Sequence, residues 1–222
     1  MYYSLTNQNL DTIPDEIFEQ KNITHLNLSN NHLKHLPIHL EVFANLEVLY
    51  LRNNRLKSLP DKLAMLPRLK VLHLQGNDLK SLPENIGELQ ELKVLWLDNN
   101  ALDILPESIG ELHKLEKLDL SNNQLSKLPA SFISLQQLLE LDISSNCFAK
   151  YPSVINQLTG LKKLSTSNNA FRLTPREVEG WMWKTYEEAE KSILYQLNGN
   201  TGKQGYKISQ VEEKEYGWVF YY

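Results

Sequence analysis

Apolar residues recur along most of this chain at a fixed interval of 23 residues. The template Leu-x-x-Leu-x-Leu-x-x-Asn-x-Leu-x-x-Leu-Pro fits seven consecutive segments without an insertion. Its first position is taken by Ile23, Leu46, Leu69, Leu92, Leu115, Leu138 and Leu161. Unbroken self-similarity of this kind predicts a solenoid, in which each unit buries its apolar side only by packing on its neighbours.

Each unit begins with a stretch in which apolar and variable positions alternate. In the fourth unit, this alternation places Leu95 and Leu97 on the buried side and Val94 and Trp96 on the outward side. Alternation with a period of two predicts a short strand. Stacked units then pair their strands into a parallel sheet, whose outward side we call the concave face.

The second half of each unit contains a proline and an apolar pair three residues apart. Proline fixes φ and lacks an N–H donor, so this half is predicted to be an irregular or short helical return. Pairs such as Ile86 and Leu89, or Ile109 and Leu112, would close the core from that side. Between the two halves an asparagine recurs at every 23rd residue, and its amide can satisfy backbone groups of the adjoining turn.

The pattern weakens at both ends of the repeat region. Tyr3, Leu5 and Leu10 occupy equivalent positions before the first full unit, and Phe171 and Trp181 do so after the last. We therefore divide the chain into a repeat region, residues 1–181, and a tail, residues 182–222. The repeat region comprises an N-terminal cap unit and seven repeats.

This pattern resembles the typical 23-residue leucine-rich repeats of intracellular proteins, over residues 3–181. The resemblance implies an α/β repeat fold, a curved leucine-rich repeat solenoid with a parallel sheet on its concave face. It also implies recognition of another protein, but it names no partner, because function lies in surface positions that vary.

Three rows of side chains are expected to line the concave face. The central row is Asn27, Tyr50, His73, Trp96, Asp119, Asp142 and Ser165. The first row, at the start of the strands, is His25, Val48, Val71, Val94, Lys117, Glu140 and Lys163. The third row, at the end of the strands, is Ser29, Arg52, Gln75, Asp98, Ser121, Ser144 and Ser167.

The aromatic strip of the central row, Tyr50, His73 and Trp96, is the main candidate for a binding site. Its predicted surroundings are Val48, Val71, Val94, Arg52 and Asp98. An exposed apolar patch with an aromatic centre and a polar rim is typical of protein-binding sites. The alternative is that valine and aromatic residues are present only because they favour strands. Asp119 and Asp142 would contact a polar or basic part of the partner, or would belong to a solvated surface.

Composition restricts the function further. The net charge of −4 gives no basic excess for nucleic-acid binding. No apolar run approaches the roughly 20 residues that span a bilayer, and the N-terminus lacks the features of a signal peptide. The single cysteine, Cys147, excludes an internal disulfide and favours a cytoplasmic location.

No residue pattern in the chain favours catalysis, a metal or a cofactor. His25, His32 and His39 are expected on different faces of the first repeat, which makes a zinc site improbable. His73 and Asp119 lie two strands apart, too far for a catalytic base and its carboxylate. Cys147 has no histidine in its repeat and is interpreted as an inert structural thiol. The segment from Gly199 to Lys203 lacks the spacing of a phosphate-binding loop.

The tail has a different pattern. A capping box at Thr185 to Glu188 predicts a helix as far as Leu197, and the runs 206–211 and 217–222 predict two strands. The Tyr186-Glu-Glu-Ala-Glu helix and the run Gly217-Trp-Val-Phe-Tyr-Tyr222 weakly resemble the front part of immunity protein thirty-five of bacterial polymorphic-toxin systems. That resemblance implies a bacterial source and a toxin partner.

Two other roles for the tail stay open. It could cap the solenoid by docking Trp181 and Trp183 on the last repeat, or its strands could pair with a second chain. The sequence thus leads to three hypotheses. The first is a non-enzymatic, cytoplasmic module that binds a partner protein, such as a signalling protein, on its concave face. The second is an immunity protein that neutralises a toxin, and the third is a structural or self-associating scaffold.

Overall fold

The computed structural model describes residues 1–171, 210–214 and 217–221. Eight parallel strands of three residues form one open sheet in chain order. They are β1 (Tyr2–Ser4), β2 (His25–Asn27), β3 (Val48–Tyr50), β4 (Val71–His73), β5 (Val94–Trp96), β6 (Lys117–Asp119), β7 (Glu140–Asp142) and β8 (Lys163–Ser165). The predicted N-terminal cap unit therefore contributes a strand of its own.

Each strand pairs with the next at a register of 23 residues, so equivalent positions of successive units lie side by side. Tyr50 pairs with His73, and His73 pairs with Trp96. The regular strands are shorter than the six-residue stretch of the template, but backbone hydrogen bonding between units continues into the turn. The N–H of Leu97, for example, donates to the carbonyl oxygen of Asp119 at 2.8 Å. These observations confirm the predicted solenoid and its register.

Short 3₁₀ helices form the return half of the units, as the proline pattern predicted. They are η1 (Asp15–Glu19), η2 (Leu40–Val42), η3 (Asp61–Met65), η4 (Ile86–Glu88), η5 (Glu107–Glu111), η6 (Ala130–Ser134) and η7 (Ser153–Gln157). A proline in extended conformation directly precedes five of the seven: Pro14, Pro60, Pro106, Pro129 and Pro152. Its fixed φ and missing donor suit the residue at which the chain turns into the helix.

Within residues 1–171, one hydrophobic core lies between the sheet and the 3₁₀ helices. Leu95 and Leu97 are 0% exposed, and the pair Ile109 and Leu112 closes the core from the helical side, as predicted. At the last described unit Leu164 is only partly buried. An interior unit is covered on two sides and a terminal unit on one, which explains this gradient.

The recurring asparagine forms a ladder of hydrogen bonds between successive units. Asn123 accepts a hydrogen bond at Oδ1 from the N–H of Leu102, and its Nδ2 donates to the carbonyl oxygens of Leu97 and Leu120, all at 2.9–3.0 Å. Each asparagine thereby ties its own turn to the preceding unit. The same arrangement is found at Asn31, Asn54, Asn77, Asn100, Asn146 and Asn169. The predicted role of the asparagine column is therefore observed.

In the tail, β9 (Gln210–Lys214) and β10 (Gly217–Tyr221) form an antiparallel pair. The sequence predicted two strands here, but it placed the first at 206–211 and treated the charged residues after it as a connection. The predicted end of the first strand, at residue 211, was wrong, because the strand continues to Lys214. Only two residues separate the strands, and a short connection sets the register, so the charged residues become part of the strand. The predicted helix, Trp181 and Trp183 lie outside the described residues.

Candidate functional site

The aromatic strip is continuous on the concave face. The rings of Tyr50 and His73 meet edge to face with centroids 4.8 Å apart, and those of His73 and Trp96 lie 4.2 Å apart at an angle of 38°. Parallel pairing at a constant register brings the three residues together, although they are 23 and 46 positions apart in the chain. Trp96 is 37% exposed, so part of its indole is accessible to a partner.

His73 lies between its two aromatic neighbours and is half-buried. Burial, assisted by the nearby Arg52 guanidinium, lowers the pKa of His73 from its ordinary value of 6.5 to about 4. Burial acts in this direction because it disfavours the charged imidazolium form. The imidazole is therefore neutral at physiological pH, and the strip carries no charge of its own.

The first row changes in character along the sheet. Val48, Val71 and Val94 are partly buried beside the aromatic strip. Further along, the carboxylate of Glu140 forms ion pairs with two lysines. Lys117 Nζ lies 2.6 Å and Lys163 Nζ 3.8 Å from its oxygens. The first row is thus apolar next to the strip and carries a cluster of two lysines around one glutamate beyond it.

The third row is less accessible than the sequence predicted. Ser29, Gln75 and Ser121 are each only 8% exposed, whereas Arg52 is exposed. The regular strand ends at the central row, so third-row side chains lie where the chain enters the asparagine turn and are covered by it. Alternation alone could not detect this, because it assigns a side to a residue without a degree of burial.

Asp98, in the third row, is partly buried and accepts a hydrogen bond from Asn99 Nδ2 at 2.7 Å. Burial, and next the negative charge of Asp119, raise the pKa of Asp98 above its ordinary value. Both effects disfavour the carboxylate form. The second effect indicates that the carboxylates of Asp98 and Asp119 are close enough to repel each other.

Asp119 and Asp142 contribute to local structure as well as to the surface. Oδ1 of Asp119 accepts a hydrogen bond from the N–H of Ser121 at 2.9 Å, and Oδ1 of Asp142 accepts from the N–H of Ser144 at 2.8 Å. Asn27 makes the equivalent bond to the N–H of Ser29. The recurring spacing of Asp or Asn with a serine two residues later was the signal for this turn, which sequence reasoning missed.

A shallow hollow of about 190 Å³ lies on the concave face next to Trp96. Three strands, β6 to β8, provide most of its lining. The lining residues are Trp96, Lys117, Leu118, Asp119, Glu140, Leu141, Asp142, Lys163 and Ser165. The sequence predicted several of these residues to be on the surface but did not predict a hollow.

The structure places the other sequence-level candidates apart from this site. His25 lies in β2, His39 directly precedes η2, and Cys147 is exposed after the asparagine turn. Within the described residues, no group of three potential metal-binding side chains comes together. In that same part of the chain, no helix has the length and apolar character required to cross a membrane.

Comparison with protein-family models gives three matches, all to leucine-rich repeats. The leucine-rich repeat model matches residues 3–56, the model of two leucine-rich repeats matches residues 44–84, and the leucine-rich repeat region model matches residues 80–176. Together these matches extend from residue 3 to residue 176. No curated protein sequence matches the chain.

Solved structures with the same repeat architecture come from a bacterium and from plants. A leucine-rich repeat protein of Leptospira interrogans is similar with a TM-score of 0.57 and 29% identity, over 79% of this chain and 56% of that protein. The ectodomain of the Arabidopsis thaliana membrane receptor kinase GASSHO1/SCHENGEN3, solved with CASPARIAN STRIP INTEGRITY FACTOR 2, has a TM-score of 0.65 and 39% identity.

A plant peptide hormone receptor, RGFR1 in complex with RGF2, has a TM-score of 0.63 and 30% identity. Each plant receptor aligns with 71% of this chain. The chain spans only 20% of the GASSHO1/SCHENGEN3 chain and 26% of the RGFR1 chain. These similarities concern the repeats, and the activity of the longer proteins does not follow for this chain.

Proposed function

Because residues 3–176 of this chain belong to the leucine-rich repeat family, we propose that it is a non-enzymatic interaction protein that binds another protein on its concave face. The family consists mainly of such modules, and the two plant receptors were solved with bound partners. We further propose a cytoplasmic location, since Cys147 has no second cysteine with which to pair.

The aromatic strip is the observation that carries this proposal. Its three rings contact one another and lie between partly buried valines and the exposed Arg52. Strand propensity accounts for the presence of valine and tyrosine, but it does not require a tryptophan with 37% of its surface open to solvent. Large aromatic side chains held in a fixed position are the residues on which binding energy concentrates at protein interfaces.

A capture experiment with a matched control tests the site. The full chain, Trp96→Ala and Ile133→Ala would each be used to isolate partners, and the affinity of the recovered partner would then be measured. Ile133 is a suitable control because it is 39% exposed, like Trp96, but lies in η6 on the opposite side of the unit. Trp96→Ala should weaken binding by about 2 kcal/mol or more, and Ile133→Ala should not. Equal affinity of all three proteins would remove the aromatic strip from consideration.

An immunity protein is the second candidate, and the tail supports it. The antiparallel pair β9 and β10 agrees with the strand order that the resemblance to immunity protein thirty-five implies. If the gene is bacterial and lies beside a toxin gene, expression of the full chain should rescue growth of cells that produce that toxin. Absence of rescue, with both proteins expressed, would reject this candidate.

Self-association is the third candidate. In the described residues, β9 and β10 form a sheet of only two strands, so each has an edge at which a second chain could pair. Light scattering should then give a dimer or larger species for the full chain and a monomer after deletion of residues 182–222. A monomeric full chain would exclude this role.

A further inference from the structure

The hollow next to Trp96 has an unequal distribution of charge. On its first-row side, Lys117 and Lys163 are both engaged by Glu140. On its central-row side lie Asp119 and Asp142, and neither forms an ion pair with another residue of the 1–171 region. The two lysines share a single carboxylate, so the charged residues of the hollow, three acidic and two basic, sum to −1, and the two aspartates are the carboxylates that have no ion-pair partner in this region.

The two aspartates also retain free hydrogen-bonding capacity. Both use Oδ1 for the backbone N–H two residues later, and Oδ2 of each has no hydrogen-bond partner within residues 1–171. A carboxylate can accept at both oxygens, so each aspartate keeps a vacant acceptor. The backbone bond holds each carboxylate in place before any partner arrives, which lowers the entropic cost of binding.

Neighbouring groups strengthen the preference for a cation. The raised pKa of Asp98 reflects, after burial, the proximity of Asp119. The neutral imidazole of His73 adds no positive charge here, and the Arg52 guanidinium offsets only part of the rise in the pKa of Asp98.

Trp96 provides an apolar wall beside this acidic site, since it pairs in register with Asp119. A lysine or arginine side chain matches this combination, because its aliphatic stem packs on apolar surface while its charged end reaches a carboxylate. A cation close to an indole face is also attracted by the ring. No acidic or purely apolar side chain satisfies both neighbours.

We propose, on the premise of the function given above, that the partner presents an extended segment with a basic side chain in this hollow and an apolar side chain on the aromatic strip two residues away. Adjacent strands are about 4.8 Å apart, so the midpoint between Asp119 and Asp142 is about 7 Å along the sheet from Trp96. Two residues of an extended segment also cover about 7 Å and point to the same side. The recognised feature is therefore an apolar residue and a basic residue at positions i and i+2, in either order.

Short synthetic peptides added to the full chain test this inference, with the indole N–H signal of Trp96 as the readout. The indole resonance is assigned by its loss in Trp96→Phe. One peptide carries leucine and arginine two positions apart, and matched peptides replace the arginine with glutamine or glutamate, or place leucine and arginine next to each other. The leucine–arginine peptide should shift the indole signal at concentrations about tenfold lower than the glutamine peptide. The glutamate peptide should bind least, and added salt should weaken the arginine peptide specifically.

The double substitution Asp119→Asn and Asp142→Asn tests whether these two carboxylates bind the basic side chain. Asparagine can keep the local fold, because Asn27 already makes the same Oδ1 bond in its own repeat. The variant should lose the advantage of the arginine peptide and keep its binding of the glutamine peptide. The double substitution Asp78→Asn and Asp103→Asn is the control, since it removes two exposed carboxylates that do not line the hollow and should leave the preference for the arginine peptide unchanged.

The possible outcomes separate this inference from the proposed function. Equal binding of all peptides at Trp96, or an unchanged preference in the double variant, would overturn the basic-residue inference and leave the concave face as a binding site. Failure of every peptide to shift the Trp96 signal would also overturn it. The proposed function would then be decided by the capture experiment with Trp96→Ala.

Discussion

The imidazole of His73 lies against the indole of Trp96, with ring centroids 4.2 Å apart and ring planes inclined by 38°. Tyr50 contacts the same imidazole from the other side at 4.8 Å. The histidine therefore joins two aromatic residues into one continuous surface, and it can do so because it is uncharged. A protonated His73 would place a charge within a partly buried stack, which is the origin of its lowered pKa.

Stability should consequently decrease when the pH falls through the range between the two pKa values of His73. Its pKa is about 4 in the folded chain and 6.5 for the ordinary side chain. Between these values the histidine is protonated in the unfolded chain and neutral in the folded chain. The free energy of unfolding is therefore unaffected by this group above about pH 6.5 and decreases progressively as the pH falls from about 6.5 to about 4. Urea unfolding at several pH values from about 7 to about 4 would measure this dependence.

His73→Gln is the control for that prediction, because several carboxylates with lowered pKa, including Glu47 and Glu140, also weaken the fold in acid. The wild-type chain should lose more stability than the variant across this pH range. Parallel curves for the two proteins would show that the histidine is not the titrating group responsible.

Leu97→Ala should destabilise the chain by about 2–5 kcal/mol, because it removes a fully buried side chain and leaves a cavity. Trp96→Ala, one residue earlier, should cost much less because its side chain faces the concave side and is partly exposed. Denaturant unfolding of both variants would compare the two sides of one strand. A loss below about 1 kcal/mol for Leu97→Ala would contradict the buried placement.

Asn123→Ala should destabilise the solenoid by about 2 kcal/mol or more, because it removes a buried side chain that satisfies backbone groups of two units. The N–H of Leu102 would lose its acceptor. Gln124→Ala provides the comparison, since Gln124 is exposed in the same turn. If thermal melting gave the two variants the same stability, the asparagine ladder would be an incidental feature of the turn.

Gly110→Ala should be destabilising because η5 and η6 approach each other closely. A Cβ atom at residue 110 would clash with the carbonyl oxygen of Ser131. We expect a loss of about 1–3 kcal/mol, the usual range for overpacking. At Gly160 the nearest backbone atom, an oxygen of Gln136, would be 3.1 Å from an added Cβ, so Gly160→Ala should be milder. Melting temperatures of the two variants would test the difference, and equal values would contradict the close packing of the helices.

Much of the architecture follows from the sequence without coordinates. The interval of 23 residues determined that Leu97 faces the core, that Trp96 faces the opposite side, and that Tyr50, His73 and Trp96 lie side by side. The prolines predicted the turns into the short helices. These properties depend on alternation within a unit and on constant spacing between units, and both can be counted along the chain.

Other features depended on contacts between neighbouring units. Gln75 and Ser121 were expected on the surface but are buried, because the turn that follows each strand covers them. The hollow beside Trp96, and the pairing of Glu140 with two lysines from adjacent repeats, arise from how side chains of different size and charge fit together across strands. Repetition determines where each backbone position lies, whereas accessibility and charge balance are sums over several non-local neighbours, and only the folded stack of repeats decides them.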